Sequence, residues 1–194
     1  MTRRGEALSR AKLMCAALTL GIFAHAPAVA AANWRIDPAR THIAFAIDAV
    51  GYPRTHGQFR QFAGRISVDF EHPDKSRVSF HVESESVDVG SASFDDYLRS
   101  DAFLNSTRFP SIDFVSSSVA KVDDHTVRVI GELTLLGVTR PLSVDVAVER
   151  EGGRGRLAFL AKTNIDRLAF GMNSGFPLVS RDVELVISSA AMEL

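Results

Sequence analysis

Apolar and polar residues alternate along much of the chain after residue 40. The segment THIAFAID places Ile43, Phe45 and Ile47 on one face, and RVSFHVESE does the same with Phe80 and Val82. A period of two is typical of antiparallel strands with one face buried and the other in solvent. The segments PLSVDVAVER and RDVELVISS repeat it, and turn-forming residues separate these segments. The pattern predicts an all-β domain of about eight strands.

The predicted strands run to about 10 residues, which is long for a sandwich and suits the tilted strands of a closed barrel. No long helical period, linker or internal repeat interrupts them. An eight-stranded up-and-down barrel has no free sheet edges and can hold one small apolar ligand inside. We therefore expect a barrel, although a Greek-key sandwich also fits the pattern.

One segment, FDDYLRSDAFLNSTRFPSIDF, breaks the alternation. Helical spacing puts Phe94, Tyr97 and Leu98 on one face, and Ser93 stands where the N-cap of a helix is expected. This predicts a short helical insert near residues 93–105, whose apolar face closes one end of the barrel. A structural role for its carboxylates, in the first helical turn or as solvated charge, is favoured over a catalytic one.

The first 30 residues differ in composition from the rest of the chain. A basic stretch precedes the apolar run LMCAALTLGIFA, which is shorter than the about 20 residues that a membrane-spanning helix needs. Ala28 and Ala30 then fit a signal-peptidase site. We expect residues 1–30 to be a cleaved secretory signal peptide, residues 31–194 to form a single domain, and the mature protein to be periplasmic.

The composition of that domain limits its chemistry. The chain has 22 basic and 23 acidic residues, of which the first 30 residues carry four and one, so the domain has a net charge of −4. An acidic domain offers no electrostatic reason to bind nucleic acid. The single cysteine, Cys15, leaves with the signal peptide, so neither a disulfide nor a thiol is available.

The sequence contains no pattern typical of a catalytic or metal centre. Its histidines are not spaced as metal-binding pairs, and neither G-x-S-x-G nor a glycine-rich phosphate loop is present. Glu83 and Glu85 would lie about 7 Å apart on one face of a strand. A glycosidase could use that spacing, but two such acids usually face water. We expect no metal and no cofactor.

Phenylalanine dominates the aromatic residues, with 13 phenylalanines against two tyrosines and one tryptophan. Phenylalanine supplies bulk without a polar group, so it suits either a filled core or an apolar cavity. Composition does not separate the two, because both need apolar residues that face inward.

Five segments, in order, resemble the YceI-like family of exported, lipocalin-like proteins associated with polyisoprenoid binding. They are WRIDPARTHIAFAI, GQFRQFAGRISVD, FDDYLRSDAFLNSTRFPSIDF, GELTLLGVTRPLSVDV and NIDRLAFGM, and they extend over nearly the whole chain after residue 33. The patterns D-x-x-L-R-S-x-x-F and L-T-L-x-G-V-T-R-P are specific to that resemblance. Two positions depart from it, since Arg40 and Asp48 stand where the family often has histidine.

The resemblance implies an extended eight-stranded antiparallel barrel with a deep apolar tunnel for a polyprenyl chain or an isoprenoid quinone. On that basis the protein binds, stores or transports an isoprenoid lipid and is not an enzyme. Transient contact with a membrane or with membrane redox proteins, and pairing of two barrels, are left open. The residues expected to line the tunnel or its rims are Ile43, Phe45, Ile47, Phe80, Val82, Phe94, Leu98, Phe103, Phe114, Leu133, Leu135, Phe159, Phe170, Met172 and Phe176.

Two other functions stay open from the sequence. A packed barrel without a continuous cavity would suit a stress-related or interaction protein. A lipid-acting enzyme would need a carboxylate inside the cavity as its acid or base, and its candidates are Asp48, Glu83 and Asp95.

Overall fold

The computed structural model describes residues 32–69, 72–150 and 155–193. The strands in that part of the chain are β1 (Ala32–Ile36), β2 (His42–Ala49), β3 (Thr55–Phe59), β4 (Phe62–Val68), β5 (Arg77–Glu83), β6 (Val87–Asp88), β7 (Ser111–Lys121), β8 (Thr126–Leu135), β9 (Val138–Arg150), β10 (Arg156–Asp166) and β11 (Val179–Glu193). The helix α1 is Ala92–Arg99, and short 3-10 segments are Pro38–Arg40, Pro73–Lys75, Ser84–Ser86 and Arg167–Phe170.

Eight of these strands close into an antiparallel barrel. Neighbours around the ring follow the order β1, β4, β5, β7, β8, β9, β10 and β11, and β11 pairs with β1 to complete it. Strand β2 also pairs with β11, β3 pairs with β2, and β6 pairs with β3. Thus β2 extends the place of β1 in the ring toward the end of the barrel that carries α1, after a short interruption of the strand. In the same way β3 occupies the place of β4, and β6 that of β5. The predicted eight-stranded barrel is confirmed, and the sandwich alternative is wrong.

The barrel has two different ends. At one end, called here the helix end, lie α1, the loop that connects β2 to β3, and residues 167–178 before β11. At the other end, called the hairpin end, β4 ends, β7 connects to β8, and β10 begins. Because antiparallel neighbours alternate in direction, these connections necessarily divide between the two ends.

Two groups of buried apolar side chains pack together, one toward each end of the barrel. The group at the helix end consists of Val87, Leu104, Leu133, Leu135, Ile165 and Phe170. The group at the hairpin end consists of Trp34, Ile36, Ile66, Leu157 and Ala191. The two groups hold the ring closed above and below its middle.

Close approach of two strands explains one glycine in the wall. A Cβ atom added at Gly131 of β8 would lie 2.4 Å from the carbonyl oxygen of Val115 and 2.8 Å from the Cα of Ser116. The register of β7 against β8 shifts at this point, between Ser116 and Ser118. Such a bulge brings the two backbones together, so only glycine fits without a shift.

The short helical insert is confirmed, but its N-cap is Ser91 and not the predicted Ser93. The first helical hydrogen bond runs from the Asp95 amide to the Ser91 carbonyl at 2.8 Å. Asp95 is buried and its carboxylate accepts a hydrogen bond from the Val89 amide at 2.7 Å, so it fastens the helix to the preceding segment. Arg99 does the same from the other end of the helix, donating to the carbonyl of Val87 at 2.9 Å.

The predicted pairing of Glu83 and Glu85 on one strand face is wrong. Strand β5 ends at Glu83, and a 3-10 turn follows. Ser84 is buried at this turn, and its hydroxyl donates to the Phe109 carbonyl at 2.7 Å. That contact draws the chain toward the helical insert, so the strand alternation stops.

The prediction for residues 1–30 lies outside the described residues. Within the part of the chain that the structure describes, no helix is long and apolar enough to span a membrane.

Candidate functional site

A cavity of about 1680 Å³ occupies the barrel interior. It reaches from Tyr52 and Phe94 at the helix end to Ser76 and Thr126 at the hairpin end. Pockets that hold drug-sized molecules measure roughly 300–1,000 Å³. This cavity is larger, and it follows the long axis of the barrel, so its shape suits a long molecule.

The wall of the cavity is built by the period-two alternation of the strands. Side chains at every second position of the strands point inward, whereas those between them face solvent. Phe80 of β5 stands directly opposite Phe114 of β7, so two inward rings meet across one strand pair. The inward apolar residues of the strands include Ile43, Phe45, Ile47, Val78, Phe80, Val82, Phe114, Leu133, Leu135, Leu142, Val144, Val146, Val148, Phe159, Val183, Leu185 and Ile187.

Many of these inward side chains are only half-buried. Phe45, Phe80, Phe114 and Phe159 all retain accessible area although they point away from the outer surface. In a packed interior such rings would be in contact on all sides. They keep free area because they border the cavity, so the phenylalanines of this barrel do not fill it.

The structure places thirteen of the fifteen residues predicted for the tunnel in the cavity wall. Phe170 and Phe176 are the exceptions. Phe170 ends a 3-10 segment and its ring is buried in the apolar group at the helix end. Phe176 lies on the loop before β11, exposed to solvent. Both were assigned to a loop rim from sequence order, which does not show how that loop folds back on the barrel.

Sequence reasoning also missed part of the wall. Leu142, Val144 and Val146 of β9, and Leu185 of β11, line the cavity but were not among the predicted site residues. The alternation that selected Ile43 also marks these positions, so the signal was present in the sequence.

Aromatic side chains form the wall at the helix end. Phe94 and Tyr97 of α1 stack with their ring centroids 6.3 Å apart, and Tyr97 meets Phe103 edge-on at 5.1 Å. All three line the cavity together with Leu98. Phe94 and Tyr97 are also exposed to solvent. The apolar face of α1 therefore borders an opening of the cavity as well as covering it.

A buried arginine lies in the cavity wall at the same end. The guanidinium of Arg167 donates to the carbonyl oxygens of Ser180 at 2.7 Å, Val179 at 3.0 Å and Met172. Burial lowers the pKa of Arg167. These three bonds fasten the loop before β11 to the end of β10. The sequence pattern gave no sign of this role, because a charged residue just after a strand usually faces water.

The hairpin end of the cavity is polar. Lys121, Asp123, Asp124, His125 and Glu149 border it there. The Lys121 ammonium, 2.7 Å from Asp124, lowers the pKa of that carboxyl group. The backbone amide of His125 lowers the pKa of Asp123 in the same way. The two ends of the cavity thus differ: aromatic rings border the helix end, where Arg54 and Arg167 are also in the wall, whereas a cluster of acidic and basic side chains borders the hairpin end.

The three candidate acids of an enzymatic function lie outside the cavity wall. Asp48 is exposed and forms an ion pair with Arg54 at 3.1 Å. Glu83 is on the outer face, and Asp95 is turned toward the Val89 amide. The structure does not bring these carboxylates together. Among the described residues, no group of three or more His, Cys, Asp or Glu side chains is arranged to hold a metal ion.

One ionisable network lies on the outer surface. His81 of β5 is 2.6 Å from Asp113 of β7 through Nδ1 and 3.3 Å from Glu83 through Nε2. The hydrogen bond with Asp113 raises the pKa of His81. Burial would raise the pKa of Asp113, but hydrogen bonds from Ser111 and His81 outweigh it and lower that pKa. The network links two neighbouring strands, and its member Asp113 also borders the cavity.

Comparison with known proteins agrees with this architecture. The model of the YceI-like domain family matches residues 34–191. Protein YceI of Salmonella arizonae is 34% identical over 164 residues, which cover 81% of this chain and 85% of that protein.

Two solved structures have the same fold. BcnA of Burkholderia cenocepacia superposes with a TM-score of 0.76 at 22% identity, covering 81% of this chain and 99% of BcnA. A polyisoprenoid binding domain from Saccharophagus degradans superposes with a TM-score of 0.67 at 13% identity, covering 83% of this chain and 98% of that domain. The family match over almost all described residues, and the identity to a YceI protein along most of both chains, place this chain in the YceI-like domain family.

Proposed function

We propose that the protein binds an isoprenoid lipid inside the barrel cavity, and stores or transports it in the periplasm without catalysing a reaction. The observation that carries the proposal is the apolar cavity that follows the barrel axis between an aromatic end and a polar end. A structural neighbour from Saccharophagus degradans is described as a polyisoprenoid binding domain, which supports the same ligand class here.

The dimensions of the barrel support a long chain as the ligand. Strand β10 has 11 residues, which corresponds to about 35 Å along the strand and, at a tilt near 40°, about 27 Å along the barrel axis. A rigid bicyclic molecule would occupy only part of that length. A flexible, branched hydrocarbon can follow it and contact rings from successive strands.

Burial of the chain is sufficient for binding. An isoprene unit has five carbons, so moving one from water into the cavity contributes up to about 4 kcal/mol at roughly 0.8 kcal/mol per CH₂ group. Ordering a flexible chain and dewetting the cavity oppose this gain, so several units do not add in full. A charged anchor is not required, and the length of the tail would decide which lipids bind.

The location of the acids favours binding over catalysis. A general acid or base must reach the reacting group. Asp48, Glu83 and Asp95 do not border the space in which a lipid would lie. Of the acids that do border it, Asp123 and Asp124 sit at the polar end, where their neighbours favour ionisation, and hydrogen bonds from Ser111 and His81 likewise lower the pKa of Asp113.

The ligand can be identified directly. Protein purified from its native periplasm would be extracted with organic solvent, and the extract analysed by mass spectrometry. We expect a stoichiometric isoprenoid, whose mass gives both tail length and head group. An extract without such a lipid, together with no uptake of added prenyl lipids, would contradict the proposal and favour an interaction protein.

A charge in the cavity wall tests where the lipid lies. In Phe80→Asp a carboxylate replaces a ring that borders the cavity, and we expect lipid binding to be lost, because burying the lipid tail would desolvate that charge. The matched control is Val115→Asp on the neighbouring strand β7, where the side chain points outward. A folded Phe80→Asp protein that binds lipid as well as the control would contradict the assignment of this wall.

A further inference from the structure

Six large apolar side chains are exposed together at the helix end of the barrel. This group, called here the apolar rim, consists of Val50, Tyr52, Phe94, Tyr97, Phe176 and Leu178. Exposed apolar residues elsewhere, such as Val115, Ile130 and Leu160, lie on separate strands of the outer wall. Single exposed apolar residues are normal on a protein surface, whereas a contiguous group marks an interaction site.

Three separate segments bring the rim together. Val50 and Tyr52 come from the loop after β2, Phe94 and Tyr97 from α1, and the other two residues from the loop before β11. The first and third segments are joined by a hydrogen bond from the Val50 amide to the Leu178 carbonyl at 2.8 Å. The third is also held by the buried guanidinium of Arg167. Hydrogen bonds therefore hold the first and third segments of the rim in place at the helix end of the barrel.

The rim surrounds an opening of the cavity. Tyr52, Phe94 and Tyr97 line the cavity and at the same time are exposed to solvent. A side chain can do both only at a mouth, where interior and exterior meet. Through Tyr52, Phe94 and Tyr97 the apolar wall of the cavity thus continues onto the apolar rim, with Arg54 also at this mouth.

The charged residues next to the rim do not form a basic patch. Arg54 is paired with Asp48 and Glu184, and Arg99 with Asp96. Each of these arginines is neutralised by an acidic partner, so they give this end of the barrel little electrostatic attraction for an anionic partner. Recognition at the rim must come mainly from burial of apolar side chains, with the tyrosine hydroxyls suited to a boundary between water and hydrocarbon.

We propose that the apolar rim docks onto the surface of a lipid bilayer, so that a hydrocarbon chain passes between bilayer and cavity without crossing water. The identity of that chain rests on the proposed function, while the docking itself does not. The continuity of rim and cavity wall favours a bilayer over a protein partner. A bilayer both covers exposed apolar side chains and holds hydrocarbon directly beneath them.

Flotation with lipid vesicles tests the docking. The purified protein would be mixed with phosphatidylcholine vesicles that contain no isoprenoid, at low and at high salt, and the bound fraction measured after flotation. We expect binding that persists at high salt, because it rests on apolar burial and not on charge. Absence of binding, or binding that is lost in high salt, would overturn the proposal.

A rim variant with a matched control locates the surface. The double variant Val50→Ser/Leu178→Ser changes side chains that are 70% and 64% exposed. Its control, Val115→Ser/Leu160→Ser, removes the same residue types from the outer wall, where they are 60% and 41% exposed. We expect the affinity for vesicles to fall at least about tenfold in the rim variant only. Each large apolar side chain that serine replaces no longer contributes its burial in the bilayer, and that loss weakens binding by roughly this factor. Equal affinity of the two variants would overturn the proposal.

Uptake of a dispersed prenyl alcohol separates docking from cargo. Geranylgeraniol delivered from solution would be titrated into the wild type and both double variants. We expect all three to bind it equally, because neither Val50 nor Leu178 borders the cavity. Uptake without vesicle binding would overturn the docking surface alone. Vesicle binding without uptake would support docking and reject the isoprenoid cargo. If the rim bound a second lipid carrier but not the vesicles, the bilayer would be rejected as its partner.

Discussion

Replacing Arg167 with methionine should strongly destabilise the protein. The residue is only 1% exposed, and its guanidinium donates to the carbonyls of Ser180, Val179 and Met172. Hydrogen bonds that involve a charged group contribute about 1.5–3 kcal/mol each. The three together therefore set an upper range of about 4.5–9 kcal/mol.

Desolvation reduces that figure. Burial lowers the pKa of Arg167, the direction expected when the charged form is taken out of water. Methionine removes this penalty and retains much of the apolar stem, but it leaves the three carbonyls without their donor. Each buried acceptor left unsatisfied costs about 1–3 kcal/mol, so the three carbonyls together cost at least about 3 kcal/mol. We expect a loss of that size, which is a large part of the 5–15 kcal/mol typical of a whole domain.

The assay is urea unfolding followed by circular dichroism, with Arg181→Met as control. Arg181 is nearby in sequence but 58% exposed, and it is paired with Asp166. An exposed ion pair contributes less than about 1 kcal/mol. If both variants lost the same small amount of unfolding free energy, this prediction would be wrong, because the three carbonyl contacts of Arg167 would then not hold the loop at the helix end.

Two further predictions concern the outer network and the β7–β8 contact. Hydrogen bonding to Asp113 raises the pKa of His81 in the folded protein above its unfolded value of about 6.5. The interaction of protonated His81 with Asp113 should therefore stabilise the fold fully below about pH 6.5, and this stabilisation should be lost as the pH rises through the folded pKa. The difference in unfolding free energy between wild type and His81→Gln should therefore shrink from pH 5.5 to pH 8.5, and a constant difference would contradict this. Gly131→Ala should cost about 1–3 kcal/mol in urea unfolding, because its Cβ would lie 2.4 Å from the Val115 carbonyl oxygen; an unchanged midpoint would mean that the strands separate freely.

The alternation of the sequence was enough to predict the wall of the barrel. In a strand the direction of each side chain follows from its position alone, so Ile43, Phe45 and Ile47 had to share a face. The helical insert was also predictable, since Phe94 and Leu98 stand one helical turn apart. In both cases the spacing of apolar residues within a few positions of the sequence determines which face they share, and contacts with distant segments do not change that face.

What the sequence could not supply depends on contacts between distant segments. Whether inward rings meet or leave a cavity is decided by the number and tilt of strands in the closed ring, which no single strand encodes. The buried position of Arg167 requires the loop before β11 to fold over it. Even the N-cap depended on such contacts: Asp95 bonds to Val89, which favours a start at Ser91 over the equally polar Ser93.

The interior combines two groups of buried apolar side chains with a cavity that runs past both, and this arrangement connects folding with binding. The groups around Leu133 and Leu157 lie toward the two ends of the ring and help to hold it closed. Phe114 packs against the first group and Phe80 against the second, yet both rings keep area that their neighbours do not cover. Under the proposed function, a hydrocarbon chain that covers this area would add stability that the protein lacks on its own, by about 2.7 kcal/mol when its concentration is 100 times its Kd. Stability should therefore follow occupancy: a change at Leu157, which lies outside the cavity wall, acts on folding alone, whereas changes to the half-buried rings also act on the gain that a ligand provides.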